Sequence, residues 1–371
     1  VPAARPGASE ETRLLAAARA GNEAAFERLV DPFRGELQAH CYRMLGSVHD
    51  AEDALQDALL RVWRGLDGFE DRGGGALRAW LYRIATNASL DLIARRRRRG
   101  LPADLAPRAD PEEPPGVPLT EQVWIEPWGE AAAVADQAPG PDERAEQRES
   151  LELAFVAAMQ QLPASQRAVL ILREVLGFSA QEVGETLDTS VPSVNSALQR
   201  ARRAVDERVG ERSQLATLRE LGDDRRRALV ADYMEAMASA DVPRVVSMLS
   251  EDIAWSMPPL ASWYGGLGEV EVFLRNGPLN GEWCWRHRPA RANGQLAVGT
   301  YTYVESAAAF LPFSLDVLTI EGEKIAAVDA FVVRTSDVPD GYSRWPDFSP
   351  DPGQVRLVFT RCGLPDRLDT D

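Results

Sequence analysis

The sequence predicts a multidomain chain: two all-α modules, a helical bundle and then a helix-turn-helix, followed by an α+β domain. Three observations predict it. The 371 residues exceed one ordinary domain. Two stretches of helical periodicity flank a block broken by Pro102, Pro107, Pro111, Pro114, Pro115, Pro118, Pro127, Pro139 and Pro141. Beyond about residue 226 the pattern passes from helical spacing to alternation. The boundaries that follow are a helical module over 10–99, an acidic Pro-rich linker over 100–145, a second helical module over 146–212, an α+β domain over 226–336 and a tail over 337–371.

Composition narrows the function classes. No run approaches the ~18 apolar residues of a membrane span, and no apolar segment marks a signal peptide, so the expected location is the cytoplasm with no membrane partner. Cys41, Cys284 and Cys362 lie far apart, without the paired spacing of a metal or redox site, and neither metal nor cofactor is expected. A net charge of −16 argues against nucleic acid until its distribution is considered. Residues 71–99 hold eight arginines against Asp71 and Asp91, whereas residues 100–150 hold twelve acids against three arginines. A basic face therefore survives in the helical module.

In the first module, Ser47 is placed to cap a helix with acids in its first turn. Ala51, Leu55, Ala58, Leu59 and Val62 make its buried stripe. Asp53, Gln56, Asp57, Leu60 and Arg64 fall on another face, where an apolar Leu60 among polar residues suits a protein contact as well as a solvated surface. The next helix, from Trp80, buries Leu81, Ile84, Ala85, Ala88 and Leu92. It leaves out Arg83, Asn87 and the run Arg95, Arg96, Arg97, Arg98 and Arg99, a set with the charge and amide groups that splayed bases require. Trp80 fits either a core or a base-stacking position.

In the second module, Leu162 to Arg173 reads as a helix stopping near Gly177. Ser179 and Glu182 form a capping box, and Ser190 caps a second helix reaching Arg203. Outside its Val194, Leu198 and Ala201 stripe stand Ser193, Asn195, Ser196, Gln199, Arg200, Arg202 and Arg203. Asn, Gln and Arg pair with purine edges, and arginines near a helix end meet phosphates.

The string Cys41-Tyr42-Arg43-Met44-Leu45-Gly46, the Asp50-Ala51-Glu52-Asp53 helix and Trp80-Leu81-Tyr82-Arg83-Ile84-Ala85-Thr86-Asn87 together resemble region 2 of the extracytoplasmic-function (ECF) sigma factors of RNA polymerase. The 162–203 segment resembles their region 4. The resemblance implies core RNA polymerase and promoter DNA as partners. It implies polymerase contact through Asp53, Gln56, Asp57, Leu60 and Arg64, and minus-10 contact through Arg83, Asn87 and Arg95 to Arg99. Minus-35 contact then falls to the exposed residues of the last helix. A helix-turn-helix regulator that binds duplex DNA without polymerase is the rival reading.

The α+β stretch has helices near 229–237, 242–249 and 270–276, and strands around 283–288, 296–304, 313–320 and 325–333, with Gly322 turning the last pair. The order resembles SnoaL-like domains, cones of helices on a curved sheet around a pocket. Trp255, Met257, Trp263, Tyr264, Trp283, Trp285, Tyr301 and Phe313 are candidates to line a pocket for a small ligand. Related cones include enzymes, so His287, Asp316 and Asp329 are weighed as acid–base groups. No convincing catalytic pair emerges, and the expectation is a non-enzyme whose cone acts in cis on the helical modules. A DNA-targeted enzyme is the alternative. Trp124-Ile125-Glu126-Pro127-Trp128 in the linker is apolar enough to dock, and similar aromatic-Pro signatures occur in cone-bearing members of the family.

Overall fold

The computed structural model describes residues 8–71, 75–116, 124–129, 149–209, 213–333 and 350–370. The chain forms two compact units, Val1–Arg98 with Ala133–Gly210, and Arg99–Ala132 with Glu211–Asp371.

The first unit begins with α1 (Ala8–Arg19), α2 (Glu23–Leu45), α3 (Val48–Gly65) and α4 (Ala76–Ile93). Ser47 caps α3 as expected, its hydroxyl accepting from the Asp50 amide at 3.0 Å. The whole anticipated stripe of α3, from Ala51 to Val62, is buried. In the core, His40 Nε2 meets Thr86 Oγ1 at 2.9 Å, and burial beside Arg43 and Arg78 pushes the imidazole pKa down to about 3, so the ring is neutral.

Four further helices follow: α5 (Leu153–Gln160), α6 (Ala164–Leu170, continued by a widened π turn to Val175), α7 (Ala180–Leu187) and α8 (Val191–Asp206). Pro163 sets the start of α6, so the expected helix from Leu162 begins two residues later. The Ser179 and Glu182 capping box is made in both directions, at 3.2 and 2.7 Å. Asp188 takes a left-handed φ of 49° in the turn between α7 and α8. A Cβ on Gly184 would lie 2.8 Å from the Thr189 carbonyl oxygen, so the turn closes only over glycine.

These helices pack on α2 and α4 through a buried polar joint. The end of a helix leaves carbonyls without intrahelical partners. Here Gln160 Nε2 donates to the Arg43 carbonyl at 3.2 Å, and Arg167 Nη1 donates to the Met44 carbonyl. Arg167 also reaches Gln160 Oε1 at 2.6 Å and the Gln160 carbonyl at 3.0 Å, while Arg43 Nε donates to Ser150 Oγ at 2.9 Å. Burial lowers both guanidinium pKa values to about 10, which leaves them charged at neutral pH. Nearby, Tyr82 meets Phe178 edge-on at 5.6 Å, and Arg78 lies over both rings.

The second unit is a six-stranded sheet with helices on one face. Its helices are α9 (Gln214–Ala238, kinked at Gly222), α10 (Val242–Met248) and α11 (Leu267–Asn276). The strands are β1 (Leu249–Ser256), β2 (Trp263–Gly265), β3 (Trp285–Ala292), β4 (Gln295–Val304), β5 (Ala309–Glu321) and β6 (Lys324–Val332), in the order β2-β1-β6-β5-β4-β3. Only the β1–β6 pair is parallel. The later four strands match the alternation in the sequence, and Gly322 turns β5 into β6 with φ 57°. β1 and β2, which carry Trp255 and Trp263, were not anticipated as strands.

Alternation assigns residues to faces. Val298, Leu318, Val328 and Ala330 join the core under the helices. On the opposite face Gly299 and Tyr301 meet the end of the chain: Tyr301 Oη donates to the Pro365 carbonyl at 2.9 Å, and Phe359 packs edge-on against its ring at 5.2 Å. The described part of the tail, 350–370, thus packs on the sheet, helical over Pro352–Cys362 and then bridging β5 through Leu368 and Phe310.

Part of the segment predicted as a linker is also integral to this unit. Ile125 and Trp128 are buried at 1% and 3% exposure. Trp128 exchanges two 2.8 Å hydrogen bonds with Asn293, its amide donating to the Asn293 side chain and its carbonyl accepting from the Asn293 amide. At the edge strand β2, the Ala109 amide donates to the Trp263 carbonyl at 2.9 Å and Trp263 Nε1 donates to the Ala106 carbonyl at 2.9 Å, which satisfies groups an edge would expose. Residues 117–123 and 130–145 of the predicted linker and 337–349 of the tail fall outside the described residues.

Two stability predictions follow from these contacts. Trp128→Ala should destabilise the second unit by about 3–5 kcal/mol, read by urea unfolding. Asp316 and Asp329 are buried, and desolvation raises each pKa from 3.8 to about 6. The folded state therefore holds these protons more tightly than the unfolded chain, giving stability that is full below about pH 4 and lost as pH rises through 6, up to ~3 kcal/mol per carboxyl. Asp329→Asn should flatten that dependence; an unchanged slope between pH 4.5 and 7.5 would contradict the assignment.

Candidate functional site

Three surfaces and one cavity carry the candidate residues. On α3, Gln56, Asp57, Leu60 and Arg64 are exposed and Asp53 is half-buried. Leu60 is 51% exposed, with Val191 one of two large apolar side chains that stand out in this way among the described residues. Asp57 is tied by Arg61, which bridges to Asp91, both at 2.7 Å.

The α4 candidates divide. Arg83, Arg95 and Arg97 face solvent and Asn87 is half-buried. Arg96 is paired with buried Asp50 and lies 3.9 Å from Asp53. Arg98 Nε donates to the Gln160 carbonyl at 2.8 Å. Arg99 is 9% exposed, donates to the Trp124 carbonyl at 2.6 Å and lies 3.8 Å from Glu126. Arg96, Arg98 and Arg99 therefore already have acceptors within the chain. Trp80 stacks on Phe69 at 4.7 Å and is half-buried, in a packing position.

On α8 the pattern in the sequence translates directly. Val194, Leu198 and Ala201 are buried, while Ser193, Asn195, Ser196, Gln199, Arg200, Arg202 and Arg203 are all exposed. Asn195, Gln199, Arg202 and Arg203 border one groove together with Arg173, which sequence reasoning missed. Arg202 is held by Glu174 through two bonds, at 2.7 and 3.2 Å, and Arg203 by Glu207 at 3.2 Å.

In the second unit a cavity of about 340 Å³ opens beside the sheet. Of the eight pocket candidates, Met257, Trp283, Trp285 and Phe313 line it. Phe313 does so because the register slips: Tyr301 pairs with Pro312 and Thr300 with Ser314, leaving Phe313 without a partner on β4. The other four do not. Trp255 and Tyr264 are core, Trp263 sits under Arg108 at the sheet edge, and alternation turns Tyr301 to the opposite face. Sequence reasoning missed Asn276, Asn280, Glu282 and the wall 111–115; only the Pro-Glu-Glu-Pro-Pro run offered a signal.

None of the weighed acid–base groups lines the cavity. Asp316 accepts from Tyr233, Thr300 and Ser314 at 3.1, 3.2 and 2.7 Å, and Asp329 accepts from Ser256 at 2.6 Å. Both ring nitrogens of His287 are buried without a hydrogen-bond partner, and burial lowers its pKa to about 4. No described helix is long and apolar enough to cross a membrane.

Comparison with known proteins places both helical modules in one family. The family model of Sigma-70 region 2 matches residues 29–99, and that of Sigma-70 region 4 matches residues 152–205. The chain is 39% identical over 368 residues to the ECF RNA polymerase sigma factor SigG of Mycobacterium tuberculosis, covering 95% of this chain and 89% of that one. It is 31% identical over 187 residues to the ECF sigma factor SigW of Bacillus subtilis, covering 50% of this chain and 89% of the relative. The crystal structure of the extracytoplasmic-function sigma factor SigJ of Mycobacterium tuberculosis superposes with a TM-score of 0.53 at 21% identity, covering 88% of this chain and 96% of that one, a likeness of fold.

The Glu174 contact makes a prediction. Glu174→Gln should free Arg202 for phosphate, raising duplex affinity severalfold and steepening the salt dependence by about one counterion. Fluorescence anisotropy across a salt series measures both, and an unchanged slope would count against Arg202 as a phosphate contact.

Proposed function

The chain belongs to the ECF sigma factors of RNA polymerase, and on that premise we propose how its surfaces divide the work of initiation. As a sigma factor it binds core RNA polymerase and directs it to promoters. The exposed face of α3, centred on Leu60 and flanked by Asp53, Gln56, Asp57 and Arg64, docks on polymerase. Arg83 and Asn87 read the minus-10 element, with Arg95 on the backbone. Arg96, Arg97, Arg98 and Arg99 join it as their internal partners let go. The exposed face of α8 reads the minus-35 element, with Arg202 and Arg203 on phosphates.

The carrying observation is the polar joint around Arg167. It packs the two DNA-reading modules into one unit, while elements named for minus 10 and minus 35 are centred about 25 base pairs apart, roughly 85 Å of duplex. The longest helix of the unit, 23 residues, spans only about 35 Å. Simultaneous reading therefore requires the joint to open, and the packed form is a resting state. The segment 99–132, folded into the second unit, is the chain that must yield between them, so the C-terminal domain acts in cis through it. That domain acts without catalysis: Asp316, Asp329 and His287 serve the core and stand away from the cavity. The site of action is the cytoplasm, where core polymerase works.

Run-off transcription with purified core polymerase tests the reading. Leu60→Asp should weaken core binding at least ~10-fold, because a charge replaces an apolar anchor. Removing residues after 212 should change output; identical output at every promoter tested would remove the cis role while leaving the sigma activity intact.

A further inference from the structure

We propose that the 340 Å³ cavity of the second unit is a binding site for a small organic cation of the alkylammonium class. Its volume lies in the range of small-molecule pockets. The floor is aromatic. The Trp283 and Trp285 rings stack at 4.8 Å with 5° between their planes, and Phe313 stands edge-on to both, at 5.7 and 5.0 Å. Trp285 spends its single N–H on the Pro278 carbonyl at 2.7 Å, so what it offers a ligand is ring surface. Indole faces carry the negative end of the ring quadrupole and attract cations.

The rim agrees in sign. Glu112 and Glu113 stand on one wall and Glu282 on another, and none of the described lining residues is basic. No ion pair joins these three carboxylates to a basic side chain among the described residues, and Glu282 is steadied by the Asn280 amide at 3.1 Å. A concave site edged by one sign of charge concentrates the opposite ion.

The wall is built rather than draped. The Ala109 amide donates to the Trp263 carbonyl at 2.9 Å and the Gly116 amide donates to Ser262 Oγ at 3.2 Å, which ties both sides of the Pro111 to Pro115 run to the unit, and the Glu112 amide closes a local turn on Asp110 Oδ1 at 3.0 Å. The run belongs to the segment between the two DNA-reading modules, so a ligand in this cavity touches the chain that joins them. Binding is measured without polymerase, and its outcome is independent of whether the C-terminal domain modulates transcription.

The test titrates the full chain with three isosteric probes while following the indole N–H signals of Trp283 and Trp285, assigned with Trp283→Phe. The probes are choline, its neutral counterpart with tert-butyl in place of trimethylammonium, and tert-butylacetic acid, which carries the opposite charge. Choline should shift both indoles saturably and bind at least about fivefold more tightly than the neutral probe, with the acid weakest. The preference should fall to below about twofold in ~0.5 M salt, which screens the exposed rim. The surface variant Glu112→Gln/Glu113→Gln, which leaves the core untouched, should lose a similar share. Equal or tighter binding of the neutral probe, or indole signals that stay fixed to ~50 mM choline, where even a millimolar site would be saturated, would overturn the proposal.

Discussion

The first unit depends on a guanidinium buried where two helices end. The last turns of α2 and α5 each leave carbonyls that no residue of their own helix can satisfy, and Arg167 with Gln160 supplies donors to both. A cation at a helix C-terminus also faces the negative end of the dipole. The arrangement is costly to desolvate, as the lowered pKa of Arg167 records, and it is stable only because its acceptors are in place. Such a joint is closed or open with little between, because a guanidinium pulled from its acceptors would be left buried and unpaired.

The second unit is shaped by a sheet with two faces to cover. One face buries the helices α9 to α11. The other would leave apolar strand surface in water, and the chain supplies its own cover from both sides in sequence: residues around 124–129 from before the unit and 350–370 from after it. Gly299 and Gly129 mark how closely this cover approaches, since a Cβ at the first would strike Leu364 and at the second the Arg361 carbonyl. An interdomain segment is thereby made part of a folded unit, and its conformation becomes linked to the state of that unit.

The charged groups of the first unit are committed to different degrees. Arginines look equivalent in a run, yet Arg96, Arg98 and Arg99 are engaged with Asp50, the Gln160 carbonyl and the Trp124 carbonyl. On α8, Arg200 is exposed while Arg202 is clamped by Glu174. Intramolecular acceptors compete with DNA for the same donors, so the packed form has a reduced basic surface without any change in net charge.

The sequence by itself determined the helices of the two modules, their caps and the exposed faces of α3 and α8, because these rest on local spacing: Ser47, Ser179 with Glu182, and Ser190 act on amides three residues away. The strands β3 to β6 were legible for the same reason. Tertiary structure alone decided what the composition of 99–132 conceals, since prolines and acids describe the absence of regular elements and not the absence of packing. It alone decided which aromatics reach the cavity, because a one-residue slip in the β4–β5 register leaves Phe313 outside the pairing and beside Trp283 and Trp285. And it alone paired the Arg167 guanidinium with the Met44 carbonyl 123 residues away, a contact that no local side-chain pattern encodes.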